Sequence, residues 1–198
     1  MIRYMELKDV CQVVTIHMAS FPGFFLSFLG PRFLSLYYLN ISKATEGVCY
    51  VYTNQNNEIV GFVVGALNPS GFYSRLLKRD WLRFSIASLS AIFKRPIVIK
   101  KIAQAFFHPA RNPVGDDIAG IFSIGVLPEY QSNGIGKKLL LAFLKDIKQR
   151  GCKKVYLTTD QEKNNRINVF YQNLGFNIER QYITPEGRKM NEYWYVIV

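Results

Sequence analysis

The chain has 198 residues, of which 49% are hydrophobic, 15% aromatic and 20% charged, and its net charge is +11. This length suits one domain over residues 1–198, and the composition excludes collagen-like, linker-like and intrinsically disordered chains. Three widely separated cysteines without a CxxC motif exclude a disulfide framework and a zinc ribbon. With only two histidines, we expect no metal site.

The N-terminal third predicts a short strand and two helices. Ile2–Tyr4 is the strand, and Asp9 with Gln12 predicts a capping box for a helix that ends near Ser20. Gly30 and Pro31 open the second helix. Charged residues interrupt the N-terminus, and no apolar run approaches the ~20 residues that span a bilayer, so we expect a cytoplasmic protein.

Two strands and a basic segment follow. Residues 47–53 and 58–67 predict a hairpin, because both are rich in β-branched residues and the stretch between them has turn chemistry. Residues 68–115 then hold nine Lys and Arg against one acid, a net charge of +8, whereas the rest of the chain carries +3. The segment predicts two helices, 74–93 and 97–107. Its charge indicates either an anionic partner or ordinary solvated helix faces.

The C-terminal half alternates strands and helices. The pattern predicts strands at 118–126, 153–159, 177–183 and 192–198, with helices at 133–150 and 165–174. The helix between the first two strands favours a right-handed parallel crossover, whereas the hairpins favour antiparallel pairing. The predicted fold class is α/β with a mixed central sheet flanked by helices, and the basic segment forms a helical insertion between the hairpin and the central strand.

A glycine-bearing turn at the start of the helix 133–150 carries the functional signal. Its sequence, Val126-Leu-Pro-Glu-Tyr-Gln-Ser-Asn-Gly-Ile-Gly-Lys137, places glycines where unpaired backbone amides and the helix dipole favour phosphate groups. It fails as a dinucleotide fingerprint, because Leu139 stands at the third glycine. It fails as a P-loop, because Gln131 and Lys138 replace required residues.

The pattern resembles the coenzyme A loop of the GNAT acyltransferase superfamily, V-x-P-x-x-[RQ]-x-x-G-x-G/A. A second stretch, Asn164 to Phe176, resembles the family's N-x-x-A-x-x-[FL]-Y-x-x-x-G-F, with Ile167 at the alanine. The resemblance covers residues 118–198 well and the N-terminal half more loosely.

The resemblance implies an acetyl-CoA-dependent N-acetyltransferase that needs no metal. The strands at 118–126 and 153–159 would separate, with the pantetheine arm paired to the first strand and the pyrophosphate on the loop amides. The implied cofactor contacts are Ile124, Gly125, Val126, Gln131, Ser132, Asn133, Gly134, Ile135, Gly136, Lys137 and Asn164. Asn164 also suits an ordinary helix N-cap.

The resemblance also assigns Tyr171 as the general acid that protonates the departing thiolate. A general base is harder to name, because relatives often carry Glu at the positions of Gly120 and Phe122. The candidates from sequence are Asp116, Asp117, Asp160 and His17, each of which could equally cap, pair or pack. A water relay or an amine that arrives neutral would need none.

The acceptor remains open at this point. The family's acceptor pocket corresponds to the connection 21–30, whose aromatic residues suit either core packing or an apolar pocket wall. A phosphate-bearing amine such as a nucleotide-linked amino sugar would suit the basic insertion, and a protein amine is the alternative. Arg75, Arg79 and Arg83 lie on one predicted helix face, and Leu77, Trp81 and Phe84 on another that is expected to be buried.

The insertion therefore predicts a lid over the acceptor site, with contact to an anionic membrane surface as the competing use. A non-catalytic acyl-CoA-binding or nucleic-acid-binding module on the same fold is the remaining alternative, although helical spacing of the insertion's aromatic residues suits burial better than base stacking. We expect no nucleic-acid partner.

Overall fold

The computed structural model describes residues 1–94, 113–184 and 187–197, and for residues 90–94 it describes the backbone alone. The strands are β1 Ile2–Tyr4, β2 Gly47–Thr53, β3 Ile59–Leu67, β4 Ile118–Val126, β5 Lys154–Asp160, β6 Asn177–Ile183 and β7 Lys189–Val196. The helices are α1 Val10–Ser20, α2 Phe25–Leu29, α3 Pro31–Lys43, α4 Phe72–Arg79, α5 Trp81–Lys94, α6 Ile135–Gln149 and α7 Asn165–Asn173.

The described strands form one sheet in the order β1-β2-β3-β4-β5-β7-β6. Neighbouring strands are antiparallel except β4 and β5, which are parallel. The helix α6 connects these two strands, as expected for a parallel crossover. The predicted mixed α/β sheet flanked by helices is thus confirmed.

Each face of the sheet is covered by its own helical layer. Helices α1 to α5 pack with one set of buried strand residues, including Phe62 and Val64, whereas α6 and α7 pack with the other, including Val63. Consecutive residues of β3 enter opposite cores because side chains alternate along a strand. The central strand β3 is consequently buried along almost its entire length.

The start of α1 differs from the predicted Asp9–Gln12 capping box. The box lies one turn earlier, around the short 3₁₀ turn Leu7–Asp9, where the Asp9 carboxylate accepts the backbone N–H of Glu6 at 2.7 Å. Gln12 instead accepts the backbone N–H of Ile59 at 3.4 Å, so this side chain joins the helix to β3. The sequence could not reveal this, because Gln12 is used in a tertiary contact.

The insertion also differs from its prediction. The helix expected over 74–93 is two helices, since the chain leaves helical conformation at Asp80. Leu77 and Phe84 are buried as predicted, but Trp81 is 55% exposed, so its assignment to the buried face is wrong. The helix predicted over 97–107 lies outside the described residues. Within the described ranges, no helix is long and apolar enough to span a membrane.

Candidate active site

The strands β4 and β5 pair over only three residues. The register runs from Ile118 opposite Lys154 to Gly120 opposite Tyr156. Beyond Gly120, β4 continues beside β3 and β5 continues beside β7. The two strands therefore separate towards their carboxyl ends, and a gap opens in the middle of the sheet.

A β-bulge lies where the gap begins. In the β3–β4 register Ser123 faces Val64 while Ile121 faces Gly65, so Phe122 is the extra residue. As a result, Phe122 packs into the core beneath α1–α5, and the next side chain, Ser123, points to that same layer, next to Tyr38. The bulge thus turns two consecutive side chains toward one face.

The edge of β4 that borders the gap is available for hydrogen bonding. The Leu127 N–H donates to the Val60 carbonyl on β3 at 2.9 Å. Because successive residues of a strand point their amides to opposite edges, the backbone groups of Ile124 and Val126 face the gap. The Val126 carbonyl there already accepts Ser20 Oγ at 3.2 Å and Gln131 Nε2 at 3.1 Å.

A cavity of about 500 Å³ occupies the gap and reaches both faces of the sheet. From the α1–α5 side it is lined by His17 and the aromatic residues after α1, and from the other side by Gly136 and Tyr171. The strand ends Ile121–Val126 and Leu157–Asp160 form its walls. Ligands entering from opposite faces would meet inside it.

The loop before α6 leaves its amides unpaired at one end of this cavity. Helical hydrogen bonding begins at the Lys138 N–H, which donates to Gly134, so the amides of residues 135–137 precede the ladder. Gly134 has φ +71° and Ser132 has φ +67°. Arg166 of α7 donates to Ser132 Oγ at 2.6 Å, which brings a cation to the loop. This geometry suits an anionic group.

The cofactor residues expected from sequence fall into two groups. The cavity lining contains Ile124, Gly125, Val126, Gln131, Gly136 and Asn164. Ser132, Asn133 and Gly134 lie on the loop and Lys137 lies in the first turn of α6, all outside that lining. Ile135 is buried against β3, so only its backbone can serve a ligand.

Asn164 occupies the N-cap position of α7, but its side chain makes no capping hydrogen bond. It donates instead to Thr159 Oγ1 at 2.8 Å and to the Asp160 carbonyl at 3.0 Å. The capping role considered from sequence is therefore wrong. The residue fixes the start of α7 to the end of β5, beside the cavity.

Tyr171 is 95% buried in an aromatic cluster on the α7 side of the cavity. Its ring centroid lies 5.2 Å from that of Phe170, 5.6 Å from Phe176 and 5.7 Å from Tyr193. These contacts fix the ring. Burial raises the pKa of the Tyr171 hydroxyl well above its ordinary value, so it is protonated at neutral pH.

The opposite face contributes His17, which is only 3% exposed. Its Nδ1 lies 2.6 Å from the Tyr38 hydroxyl, and its Nε2 has no hydrogen-bond partner. Burial lowers the pKa of this imidazole to about 4, so the ring is neutral at pH 7. The cavity is therefore bordered by a neutral imidazole whose Nε2 has no hydrogen-bond partner.

An apolar wall and one ion pair complete the α1–α5 side of the cavity. Phe21, Phe24 and Phe25 line the cavity, so the aromatic connection both packs in the core and contributes a pocket wall. Arg188, just before β7, forms a two-pronged pair with Asp160 at 2.8 and 3.0 Å and lies over the Phe24 ring at 5.1 Å. Sequence reasoning missed Arg188, because only the tertiary fold brings it to this site.

The three carboxylates considered as bases are either away from the cavity or already paired. Asp116 and Asp117 are absent from the cavity lining, and Asp116 accepts the Asn68 side chain at 3.3 Å. Asp160 borders the cavity but is paired with Arg188. In the part of the chain that the structure describes, no three His, Cys, Asp or Glu side chains are grouped as metal ligands.

Comparison with known proteins settles the family. The model of the acetyltransferase (GNAT) family matches residues 12–176. The chain belongs to the GNAT acetyltransferase family. This confirms the resemblance drawn from the two sequence motifs.

Among curated relatives, a mycothiol acetyltransferase of Saccharomonospora viridis is 39% identical over 72 residues, which are 35% of this chain and 23% of the relative. The [ribosomal protein bS18]-alanine N-acetyltransferase of Escherichia coli K12 is 35% identical over 77 residues, 37% of this chain and 51% of the relative. The matches thus span about half or less of these relatives.

Among solved structures, Arabidopsis thaliana NAA60 in complex with acetyl-CoA has a TM-score of 0.62 at 17% identity, over 100% of this chain and 98% of that one. At this identity the likeness supports the fold alone.

Proposed function

We propose that this GNAT protein is an N-acetyltransferase that transfers an acetyl group from acetyl-CoA to a primary amine within a ternary complex. The observation that carries the proposal is the gap between β4 and β5, with its open strand edge and its buried Tyr171. Family membership and the acetyl-CoA complex of a structural neighbour support the same co-substrate.

The proposed binding mode follows from the free backbone groups. A pantetheine arm would pair with β4 through Ile124 and the N–H of Val126, since the Val126 carbonyl is already occupied. The pyrophosphate would lie on the amides from Ser132 to Lys137. Gln131 is less suited to donate its backbone N–H, because that group bonds to the Pro128 carbonyl at 3.3 Å.

In the reaction, the amine nitrogen attacks the thioester carbonyl, the C–N bond forms and the C–S bond breaks. The Tyr171 hydroxyl gives its proton to the departing sulfur, the amine nitrogen loses one proton as the amide forms, and exchange with solvent returns a proton to Tyr171. Its raised pKa keeps the required protonated form across the neutral range. No metal takes part in this scheme.

For the acceptor we propose a small primary amine that carries an anionic group, such as a nucleotide-linked amino sugar. The basic insertion supports this choice, and its described helix α5 packs against α2 and α3, next to the cavity wall. A protein N-terminal amine is the alternative, in line with the bS18 relative. We place the reaction in the cytoplasm.

The direct test is a panel of nucleotide-linked amino sugars, simple amines and N-terminal peptides with acetyl-CoA, read out as free thiol release. Turnover with one class identifies the acceptor. Acetyl-CoA binding measured by calorimetry without any turnover would favour a non-catalytic acyl-CoA-binding module. Displacement of coenzyme A by DNA or RNA would favour a nucleic-acid-binding module.

A specific surface favours a second role for the insertion, contact with an anionic membrane. The apolar side chains Trp81, Leu82, Ile86 and Leu89 are 46–63% exposed on α5. Lys78, Arg79 and Arg83 beside them are exposed as well. A helix with an apolar face rimmed by cations lies stably in the interface of an anionic bilayer.

The lid and the membrane role make different predictions. Arg75 is a poor choice for the test because it already donates to the Ser70 carbonyl at 2.8 Å and approaches Glu46. Changing Arg79 and Arg83 together to Gln should raise the acceptor KM if the insertion attracts the acceptor. It should weaken sedimentation with phosphatidylglycerol vesicles if the insertion binds membranes.

Trp81→Ser should reduce vesicle binding only if the insertion binds membranes. Leu141→Ser is the matched control, because Leu141 is 49% exposed on α6, away from the insertion. If neither acceptor kinetics nor vesicle binding changes in the arginine variant, its side chains are ordinary solvated cations.

A further inference from the structure

His17 is the buried polar group that the proposed reaction leaves unused. It lies on α1, near the sequence start of the family match, and no motif of the chain includes it. Yet its imidazole is nearly inaccessible, borders the cavity and has an unbonded Nε2. A buried nitrogen without a partner is costly, so its position calls for an explanation.

The ring is held by the Tyr38 hydroxyl, which lies 2.6 Å from His17 Nδ1. Ser123, on the bulge of β4, lies next to Tyr38. Aromatic rings surround the imidazole, with Phe21 at 4.8 Å and Phe62 at 6.5 Å between centroids. The imidazole therefore has little freedom to rotate.

The Tyr38 hydroxyl can hold one particular tautomer. If Nδ1 carries the proton and donates it to the Tyr38 oxygen, Nε2 presents a lone pair. In the other tautomer Nε2 would carry a buried proton with no acceptor among the described residues.

We propose that His17 is a catalytic residue that accepts a hydrogen bond from the acceptor amine through Nε2 and takes its proton as the C–N bond forms. Tyr38 is a positioning residue that holds the tautomer. The inference rests on the proposed acetyl transfer and adds its missing base.

The proton balance is complete. The amine proton moves to Nε2 while the sulfur takes the Tyr171 proton, so the products are the amide and the free thiol. The imidazolium and the phenolate then return to their neutral forms by exchange with solvent. The low pKa of the buried imidazole keeps it neutral before the reaction and speeds the loss of that proton afterwards.

The tautomer can be measured without any acceptor. The chain has only two histidines, so ¹⁵N-histidine labelling gives two imidazole signal sets, and His108→Gln assigns them. With coenzyme A bound at pH 7, we expect His17 to show a protonated Nδ1 and a bare Nε2. A protonated Nε2 overturns the proposal.

Tyr38→Phe should mix the two tautomers. Tyr37→Phe should leave the tautomer unchanged and is the matched control, since Tyr37 is equally buried but bonds to Tyr73 at 3.0 Å.

Kinetics with the best amine of the panel separate the roles of His17. His17→Asn keeps an acceptor near Tyr38 but removes Nε2, so we expect kcat to fall about 10²-fold or more while the acetyl-CoA dissociation constant is unchanged. His17→Gln restores a hydrogen-bond acceptor but not a base, so kcat should remain low.

Turnover of His17→Gln within a few-fold of the wild type would show that His17 only positions the amine, and would overturn its role as base. Failure of the proposed acetyl transfer itself looks different, because wild-type protein would then bind no acetyl-CoA or turn over no amine.

Discussion

At the scale of single residues, Gly134 before α6 and Gly136 within it are needed for different reasons. Gly134 has a left-handed backbone conformation that any other residue would strain. Gly136 has ordinary dihedral angles, and a Cβ there would meet only the Phe170 ring at 3.6 Å, which is normal contact. A substitution at Gly136 therefore tests the ligand site, whereas one at Gly134 also tests the fold.

We accordingly expect Gly136→Val to abolish acetyl-CoA binding in calorimetry, because its methyl groups would occupy the space above the helix amides. The melting temperature should stay within a few degrees of the wild type. Lys145→Val, at an exposed position of the same helix, controls for a β-branched residue in a helix and should bind normally. Unchanged affinity of Gly136→Val would remove the loop from the proposed site.

Tyr171 permits a second test at this scale. Tyr171→Phe should lower kcat by about 10²-fold, with little change in acetyl-CoA affinity, because only the proton donor is lost. Tyr193→Phe is the control from the same aromatic cluster, since the Tyr193 hydroxyl serves Asn168 at 3.0 Å.

The pH dependence follows from the raised pKa of Tyr171, which keeps the acid protonated as pH rises. No alkaline loss of kcat should be caused by Tyr171 below about pH 10. An alkaline limb near neutrality that disappears in Tyr171→Phe would contradict this environment.

At the scale of elements, one ion pair joins β1 to the start of α1. Arg3 donates to the buried Asp9 carboxylate at 2.6 and 3.0 Å, and the Glu6 N–H adds a third hydrogen bond. Burial alone would raise the pKa of Asp9, but the hydrogen bonds to Arg3 and Glu6 outweigh it and lower the pKa below its usual value. The pair therefore stabilises the fold where Asp9 is ionised.

Asp9→Asn should lower the free energy of unfolding by about 1–3 kcal/mol at pH 7, since the pair is buried on one side and partly exposed on the other. Because the folded pKa is lowered, the contribution is present above about pH 4 and is lost as pH falls through the folded value. The free energies of unfolding of the wild type and of Asp9→Asn, measured by denaturant titration, should therefore become equal in acid. Lys8→Gln, which removes an exposed pair with Glu6, should cost less than 1 kcal/mol.

At the scale of the whole molecule, the cavity draws residues from both ends of the chain, from His17 on α1 to Met190 on β7. A ligand bound there contacts both halves of the sheet and favours the folded state of both. At 100 times its dissociation constant, acetyl-CoA should add about 2.7 kcal/mol to the free energy of unfolding. For a chain of this length, that corresponds to a rise of roughly 5–10 °C in Tm.

The thermal shift has its own control in Gly136→Val, whose Tm should not respond to acetyl-CoA. If the protein melted in two transitions and acetyl-CoA raised the temperature of only one, the cavity would not couple the two halves of the sheet. A single responding transition would agree with the prediction that residues 1–198 form one domain.

Local patterns in the sequence determined most of the secondary structure and the family. Residue composition and hydrophobic periodicity located β2 to β6, α1, α3, α6 and α7 to within a few residues, because these signals are carried by residues close together in the sequence. The motifs around Gly134 and Tyr171 identified the family, since each combines a backbone requirement with a chemical one. The capping partner of Asp9 and the exposure of Trp81 were predicted wrongly, because both depend on neighbours that are distant in the sequence.

Only the tertiary structure decided what faces the cavity. The bulge at Phe122 cannot be recognised from the run Ile118–Val126, yet it turns Phe122 and Ser123 to the same side of the sheet, where both line the cavity. Arg188 binds Asp160, which lies 28 residues earlier in the chain. It also lies over Phe24, which is in the N-terminal part of the chain. Sequence patterns record which residues an element buries, whereas the residues that meet in a cavity are set by how the elements are stacked.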